Sequence, residues 1–204
     1  MFPALPMSIA SPMRRSKALS LPNILTYGRL AAVPAVVALL FWPEDLWSRW
    51  FAAAIFVAAA VTDYLDGYFA RTYSQQSALG RMLDPIADKL LVAACLLMLV
   101  SDGTIHGWNL WAAIVILSRE ILVSGLREFL AELKVSVPVS RVAKWKTALQ
   151  LVAVGFLIAG PAGETVLEGA VLIGTGLLWV AAVLTIYTGW DYMKAGIHHI
   201  VDNA

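Results

Sequence analysis

The sequence predicts an all-α integral membrane protein of six transmembrane helices, with both termini in the cytoplasm. Three observations predict it. Hydrophobic residues make up 60% of the 204 residues and charged residues only 14%, whereas a soluble domain is nearer a quarter charged. Apolar runs of about 17–25 residues, long enough to cross a bilayer, recur six times. The breaks between them carry turn chemistry, and Lys and Arg gather on one side of the breaks.

The first span is expected near 24–42, ended by Pro43-Glu44-Asp45, and the second near 48–71. The third runs near 84–101 and stops at Ser101-Asp102-Gly103. The fourth covers about 108–131, with Pro138 in the connection that follows. The fifth covers about 146–160, ended by Gly160-Pro161-Ala162-Gly163, and the sixth about 166–190. The chain thus divides into a leader (1–20), a six-helix membrane domain (21–191) and a cytoplasmic tail (192–204). The leader does not resemble a signal peptide, because Arg14, Arg15 and Lys17 follow a weak apolar stretch broken by Pro3, Pro6 and Pro12.

Orientation follows from the basic residues of the short loops. The leader holds three, the 72–83 loop holds Arg81, and the 132–145 loop holds Lys134, Arg141 and Lys144. The loops near 43–47, 102–107 and 161–165 hold none, so they face outward. Trp42, Trp47, Trp50, Trp108 and Trp111 fall at the expected outer interface, and Trp145 and Trp190 at the inner one, where an indole stays apolar while its N–H reaches water. Cys95, the one cysteine, sits in an apolar run and reads as a packing residue; it excludes an internal disulfide and a Cys/His metal site. A net charge of +1 gives no basis for a nucleic-acid partner, and none is expected.

Four of the 14 acidic residues fall between positions 63 and 88. An acid at bilayer depth costs at least ~2.5–3.5 kcal/mol on insertion scales, so this density needs an explanation. With Asp63 as the zero of angle on the second helix, Asp66 lies at about −60°, Gly67 at about +40°, Ala70 at about −20° and Arg71 at about +80°. These five share one face. Asp84 and Asp88, four apart, share a face of the third helix. Both pairs sit at the inner interface, within reach of soluble substrates. Carboxylates so dense repel one another unless a cation joins them, and hard oxygen ligands suit Mg²⁺ or Mn²⁺. Four acids could hold two such ions as a clamp on a diphosphate. Gly67 and Ala70 leave room for a bulky group and Arg71 is a ready phosphate partner, which together suggest a nucleotide diphosphate. The plainer reading, solvated acids paired with Arg71, Arg81 and Lys89, explains neither the spacing nor the small residues.

The string Asp63-x-x-Asp66-Gly67-x-x-Ala70-Arg71, eight residues, Gly80-x-x-x-Asp84-x-x-x-Asp88 resembles the signature of the CDP-alcohol phosphotransferase family, over a chain whose six helices match that fold throughout. Members of that family join a CDP-linked lipid or alcohol to a second alcohol and release CMP. The resemblance implies that Asp63, Asp66 and Asp84 hold metal, and that Asp88 completes the site and serves as base on the attacking hydroxyl. It places Thr26, Asp66, Gly67, Ala70, Arg71 and Gly80 at the CDP-lipid.

The second alcohol is read from other segments. Asn23, Thr26 and Arg29 are spaced by three along the first helix. Asn23 could be an N-cap and Thr26 a backbone-bonding side chain, but Arg29 within two turns of a span's start needs a partner. Arg119 lies deep in the fourth helix; adjacent Glu120 is not expected to face it, so Arg119 should point to a cavity or another helix. A buried ion pair is the rival reading. Arg141, Lys144 and Lys146 open the fifth helix, where an ordinary basic flank is an alternative. Read together with Arg119, they suggest a pocket for a phosphorylated acceptor, with Arg119, Arg141 and Lys144 as its phosphate-binding residues.

Leu21 to Thr26, Arg119 to Glu128 and Ala143 to Thr147 resemble a bacterial branch of the family that uses CDP-diacylglycerol and sn-glycerol 3-phosphate. Tyr27-Gly28 and Tyr64 depart from that branch in packing positions only. The resemblance further implies a homodimer in the bacterial inner membrane with its site facing the cytoplasm, and Gly174 and Gly176 would permit close helix packing. Two alternatives stay open: a different acceptor (phosphatidylglycerol, serine or inositol phosphate), and a divalent-cation transporter, which would want acids through the whole depth of the membrane.

Overall fold

The computed structural model describes the backbone over residues 21–73, 78–133 and 141–201, all of it helix or short turn. The helices are α1 (Leu21–Leu40), α2 (Leu46–Tyr73), α3 (Ala78–Ser101), α4 (Asn109–Glu132), α5 (Arg141–Glu164) and α6 (Ala170–Val201). Five are long and apolar enough to cross a membrane. The sixth, α3, carries Asp84, Asp88 and Lys89 within its apolar run, so charge, not length, sets it apart. The chain is a multi-pass helical membrane protein.

Helix starts differ from the expected bounds at the end where α2 finishes and α3 begins. α3 opens at Ala78, not near 84, so Asp84 and Asp88 stand about two and three turns into it rather than in its first turns. Pro85 does not start the helix. It removes only the bond to the carbonyl of residue 81, in the opening turn, and proline is tolerated inside membrane helices. α5 likewise opens at Arg141 instead of near 146. α5 opens with the charged Arg141 and Lys144, and in α3 Gly80, Arg81 and Pro85 interrupt the apolar run that follows Ala78; hydropathy marks the lipid-crossing part of a helix, not its whole length. α6 runs unbroken through residue 191 to Val201. Asn23 is inside α1 and fully buried, not an N-cap. The leader, 1–20, lies outside the described residues.

Local chemistry explains several boundaries. Asp45 caps α2: its Oδ1 accepts from the Trp47 N–H at 3.1 Å and its Oδ2 from the Ser48 hydroxyl at 2.6 Å. The Ser48 hydroxyl, and then the Trp47 amide, hold this exposed carboxyl below its ordinary range. Glu164 accepts from the N–H groups of Gly169 and Val171 at 2.7 and 2.8 Å, tying the α5–α6 turn to the start of α6.

α1 packs on α2 and α3, α2 on α5, and α6 on both α4 and α5. The apolar core fills the half of the bundle away from the aspartates: Val36, Leu40, Phe56, Cys95, Leu96, Leu99, Ile116, Leu157, Ile158 and Leu178 are buried there. Outward faces carry Leu97, Leu172, Val183 and Ile186, each more than half exposed, a belt suited to lipid. Trp42, Trp47, Trp108, Trp111, Trp145 and Trp190 also face outward. Gly174 packs within the chain, since a Cβ there would meet Leu157 and Phe156 of α5 at 3.0 Å; around Gly176 there is open space.

The far end is locked by Arg49, only 2% exposed. Its guanidinium donates to Asp102 Oδ2 at 2.5 Å, to the Pro43 carbonyl at 3.0 Å and to the Ile158 carbonyl at 3.3 Å, joining α2, the α3–α4 turn and α5. α5 breaks where it meets this group: Gly160 has φ 46° and ψ −126°. A Cβ there would lie 2.5 Å from Arg49 Nη1, so glycine satisfies both the backbone and the approach.

Gly160→Ala should therefore lower stability by about 2–3 kcal/mol, through backbone strain and displacement of Arg49. Gly176→Ala, in open space on a helix, should be neutral or slightly stabilising. Thermal unfolding of both variants in detergent tests this; equal midpoints would remove the lock from the explanation of the kink.

Candidate active site

The site begins with one arginine. Arg29, two turns into α1 and 2% exposed, donates through Nη1 to Asp63 Oδ1 of α2 and through Nη2 to Asp84 Oδ1 of α3, the latter at 3.0 Å. Thr26, one turn earlier on the same side, donates its hydroxyl to Asp84 Oδ1 at 2.7 Å. The partner that Arg29 needs is thus the acidic pair itself, and Thr26 bonds a side chain across the bundle. α1 fixes the end of α2 against α3. A fork of donors is suited to this, because two carboxylates can be held at once by one planar group.

Asp88, one turn beyond Asp84, makes no hydrogen bond or ion pair among the described residues, and it lines a cavity of about 610 Å³. Asp63 and Lys89 line the same cavity. Its opposite wall is cationic: Arg119 and Arg127 from α4 and Lys146 from α5, with Tyr192 from α6. A smaller cleft of about 360 Å³ between α3, α4 and α5 shares Asp88, Lys89, Glu120 and Ser124 with it. An apolar groove of about 620 Å³ runs between α2 and α5, lined by Phe56, Val57, Val61, Val152, Gly155 and Phe156 among others. Ala60, Ala148 and Leu151 border both the groove and the polar cavity, so the two adjoin.

Glu120 organises the cationic wall. Its Oε1 accepts from Lys146 Nζ and, at 3.1 Å, from Arg119 Nη1. The expectation that adjacent Glu120 does not face Arg119 fails. Neighbours on a helix diverge by about 100° at the Cβ, but a long guanidinium arm and a glutamate can curl to one point when a third group, Lys146, anchors it. Arg119 still points to another helix: Nη2 donates to Thr188 Oγ1 of α6 at 3.0 Å. Gly189 makes room for its stem, since a Cβ there would lie 3.1 Å from Arg119 Cγ. Arg127 stacks on Tyr192 with its Cζ 5.5 Å from the ring centroid.

Of the expected site residues, Asp63, Asp88 and Arg119 line the polar cavity, and Asp84 and Thr26 join it through the Arg29 bridge. Asp66, Gly67, Ala70 and Arg71 fall on α2, Gly80 on α3, and Arg141 and Lys144 on the opening turns of α5; the side chains of all seven lie outside the described residues. Lys146 was expected only as one of three cations at the opening of the fifth helix, and Arg29, Glu120, Arg127, Thr188 and Tyr192 were not expected as site residues. Their signal is a polar stripe on each helix: Glu120, Ser124 and Arg127 on α4, Lys146 and Gln150 on α5, Thr188 and Tyr192 on α6, spaced by three or four in apolar surroundings.

Hard-oxygen donors are present for a divalent cation. The Asp63 side chain is 42% exposed and that of Asp84 25%, with Arg29 bonded at Oδ1 of both and Thr26 at Oδ1 of Asp84. Among the described residues no three metal-ligating side chains come together; Asp66 is the remaining aspartate of the signature. The donor chemistry fits Mg²⁺ or Mn²⁺ and not a softer ion.

Asp63 and Asp88 facing the cations held by Glu120, with an apolar groove adjoining, suit transfer of a charged group attached to a lipid. The model of the CDP-alcohol phosphatidyltransferase family matches residues 19–187, and the chain belongs to that family. Curated relatives agree. The CDP-diacylglycerol–glycerol-3-phosphate 3-phosphatidyltransferase of Rickettsia bellii is 47% identical over 176 residues, covering 86% of this chain and 94% of the relative. The enzyme of the same name from Cereibacter sphaeroides is 37% identical over 217 residues, covering 90% and 98%. A third, from Arabidopsis thaliana, is 41% identical over 190 residues, covering 88% and 80%.

Thr188→Val removes the hydroxyl that holds Arg119 while keeping its shape. A lost hydrogen bond to a charged group is worth about 1.5–3 kcal/mol, so the KM for the acceptor alcohol should rise roughly tenfold or more with kcat little changed. Steady-state kinetics with each substrate varied in turn checks this; a fall in kcat at constant acceptor KM would show that Thr188 does not act through acceptor binding.

Proposed function

We propose that this protein transfers the phosphatidyl group of CDP-diacylglycerol to sn-glycerol 3-phosphate, giving phosphatidylglycerophosphate and CMP for phospholipid synthesis. The observation that carries the reading is Asp88, unpaired among the described residues, facing Arg119, Arg127 and Lys146 across one cavity. A neutral acceptor such as serine has no use for three cations opposite the base. A phosphorylated one does, and the relatives' names specify glycerol 3-phosphate.

The groove between α2 and α5 fits the donor's acyl chains, which can remain at bilayer depth while the diphosphate reaches the aspartates through the border at Ala60 and Ala148. Asp63, Asp66, Asp84 and Asp88 would hold one or two divalent cations, whose chemistry when bound is to neutralise diphosphate charge. Arg71, Gly67, Ala70 and Gly80 are assigned to the CDP moiety. Arg119, with Arg141 and Lys144 at the mouth of α5, holds the acceptor phosphate, and Lys146 keeps Glu120 paired so that Arg119 stays in place.

Held this way, the primary hydroxyl of the acceptor points to Asp88. Its oxygen forms a bond to the lipid-bearing phosphorus as the bond from that phosphorus to the oxygen of the CMP phosphate breaks. The proton passes to Asp88 and the electron pair leaves with CMP. Positioning and charge compensation supply most of the rate, as in other phosphoryl transfers. The surrounding reading is of six spans including α3, both termini and the site on the cytoplasmic side of a bacterial inner membrane, and a homodimer. The basic loops and the tryptophan belts support the orientation.

Asp88→Asn should lower kcat by roughly 10²–10⁴-fold with CDP-diacylglycerol binding nearly unchanged. Purified protein supplied with CDP-diacylglycerol and radiolabelled glycerol 3-phosphate, serine or inositol phosphate should label lipid from glycerol 3-phosphate alone. Near-normal turnover in the variant removes Asp88 as base; labelling from another alcohol instead overturns the acceptor.

A further inference from the structure

Gln150 is a buried polar side chain for which the proposed transfer, as far as the base and the phosphate-binding cations go, has no use. It lies on α5 one turn beyond Lys146, on the same side of the helix, and is 3% exposed. Its Oε1 is buried and has no hydrogen-bond partner. A buried amide oxygen left without a donor is costly, and native structures rarely keep one without a reason. Gln150 lines the 360 Å³ cleft together with Asp88, Lys89, Glu120 and Ser124. That cleft and the catalytic cavity share Asp88, Lys89, Glu120 and Ser124, so Gln150, which lines only the cleft, stands on the far side of Asp88 from the cationic wall of the cavity.

α3 and α5 pack on one another, and Asp88 and Gln150 line the cleft between them from the two helices. Lys146, one turn before Gln150 on α5, lines the adjoining cavity with Arg119.

The geometry points to Gln150 as the residue that recognises the acceptor's second hydroxyl, on the carbon next to the one that bears the attacking oxygen. This rests on glycerol 3-phosphate being the acceptor. With its phosphate on the cationic wall and its primary hydroxyl at Asp88, the molecule has one polar group left, the secondary O–H. That group is a donor and Gln150 Oε1 is an acceptor without one. The pairing gives the cleft a means of selecting a vicinal diol over a simple alcohol phosphate. A site built to bond a hydroxyl rejects the analogue that lacks it, because its own polar group is then left unpaired.

The test compares sn-glycerol 3-phosphate with 3-hydroxypropyl phosphate, which keeps the phosphate and the primary hydroxyl and lacks the secondary one. Purified wild-type protein should favour glycerol 3-phosphate in kcat/KM by roughly tenfold or more. Gln150→Met, similar in volume and without the amide, should lose most of that preference, mainly by losing rate with glycerol 3-phosphate. Gln150→Asn, which keeps the amide on a shorter arm, should fall between and covers the case in which the methionine variant does not fold. A wild-type protein active with both acceptors but indifferent between them overturns the assignment, as does a methionine variant that keeps the full preference. A wild-type protein inactive with glycerol 3-phosphate but active with another alcohol overturns the proposed acceptor instead, and Gln150's role with it.

Discussion

One guanidinium holds the working end of this bundle together. Arg29 of α1 bonds Asp63 of α2 and Asp84 of α3, in a chain whose outer faces are built for lipid. Two carboxylates brought together at that depth repel unless a cation lies between them, and a buried arginine is equally costly without acids. Among the described residues, each compensates the other. The bridge sets the rotation of three helices at once, and rotation decides which side chains face the cavity. Asp88 reaches the cavity unpaired among the described residues because its helix is held from one turn away.

The two ends of the molecule divide the work of stability and chemistry. The far half is a dry core of Leu, Ile, Val, Phe and Ala side chains, closed by Arg49 through its bonds to Asp102 and to backbone carbonyls. The near half carries Asp63, Asp84, Asp88, Glu120, Arg29, Arg119, Arg127 and Lys146 around open space. Arginine serves at both ends, but differently. Arg49 is enclosed by fixed partners and makes a permanent joint. Arg119 is held by Glu120 and Thr188 from two sides and lines a cavity, so it can present charge to a ligand without a change of shape. Positioning of this kind is where a phosphoryl-transfer site gains most of its rate.

Much of this was legible in the sequence, for identifiable reasons. Six apolar runs became six helices, and the spacing of Asp63, Asp84 and Asp88 placed them near one another, because period and hydropathy are local properties. The true starts of α3 and α5 were not legible, since Gly80, Arg81 and Pro85 interrupt the first and Arg141 and Lys144 open the second with charge. Pairing between helices was hidden as well. Periodicity places Arg29 on a face but does not say that the face meets Asp63 and Asp84. The adjacency of Arg119 and Glu120 argued against a contact that Lys146, distant in sequence, makes possible. Gln150, Thr188 and Tyr192 were visible only as polar interruptions in apolar helices, and that signal carries meaning once the helices are packed.

The most direct test of this scheme is a mutant cycle on the Arg29 bridge, measured as unfolding free energy in detergent without divalent metal. Arg29→Met leaves two acids uncompensated and should cost about 3–5 kcal/mol, the usual penalty for removing one partner of a buried pair. Adding Asp63→Asn and Asp84→Asn to that variant should return most of the loss, because the repulsion and the unpaired charge go together. Losses that simply add across the three positions would mean that the helices are aligned by something else, and would contradict the role of Arg29 as the joint between them.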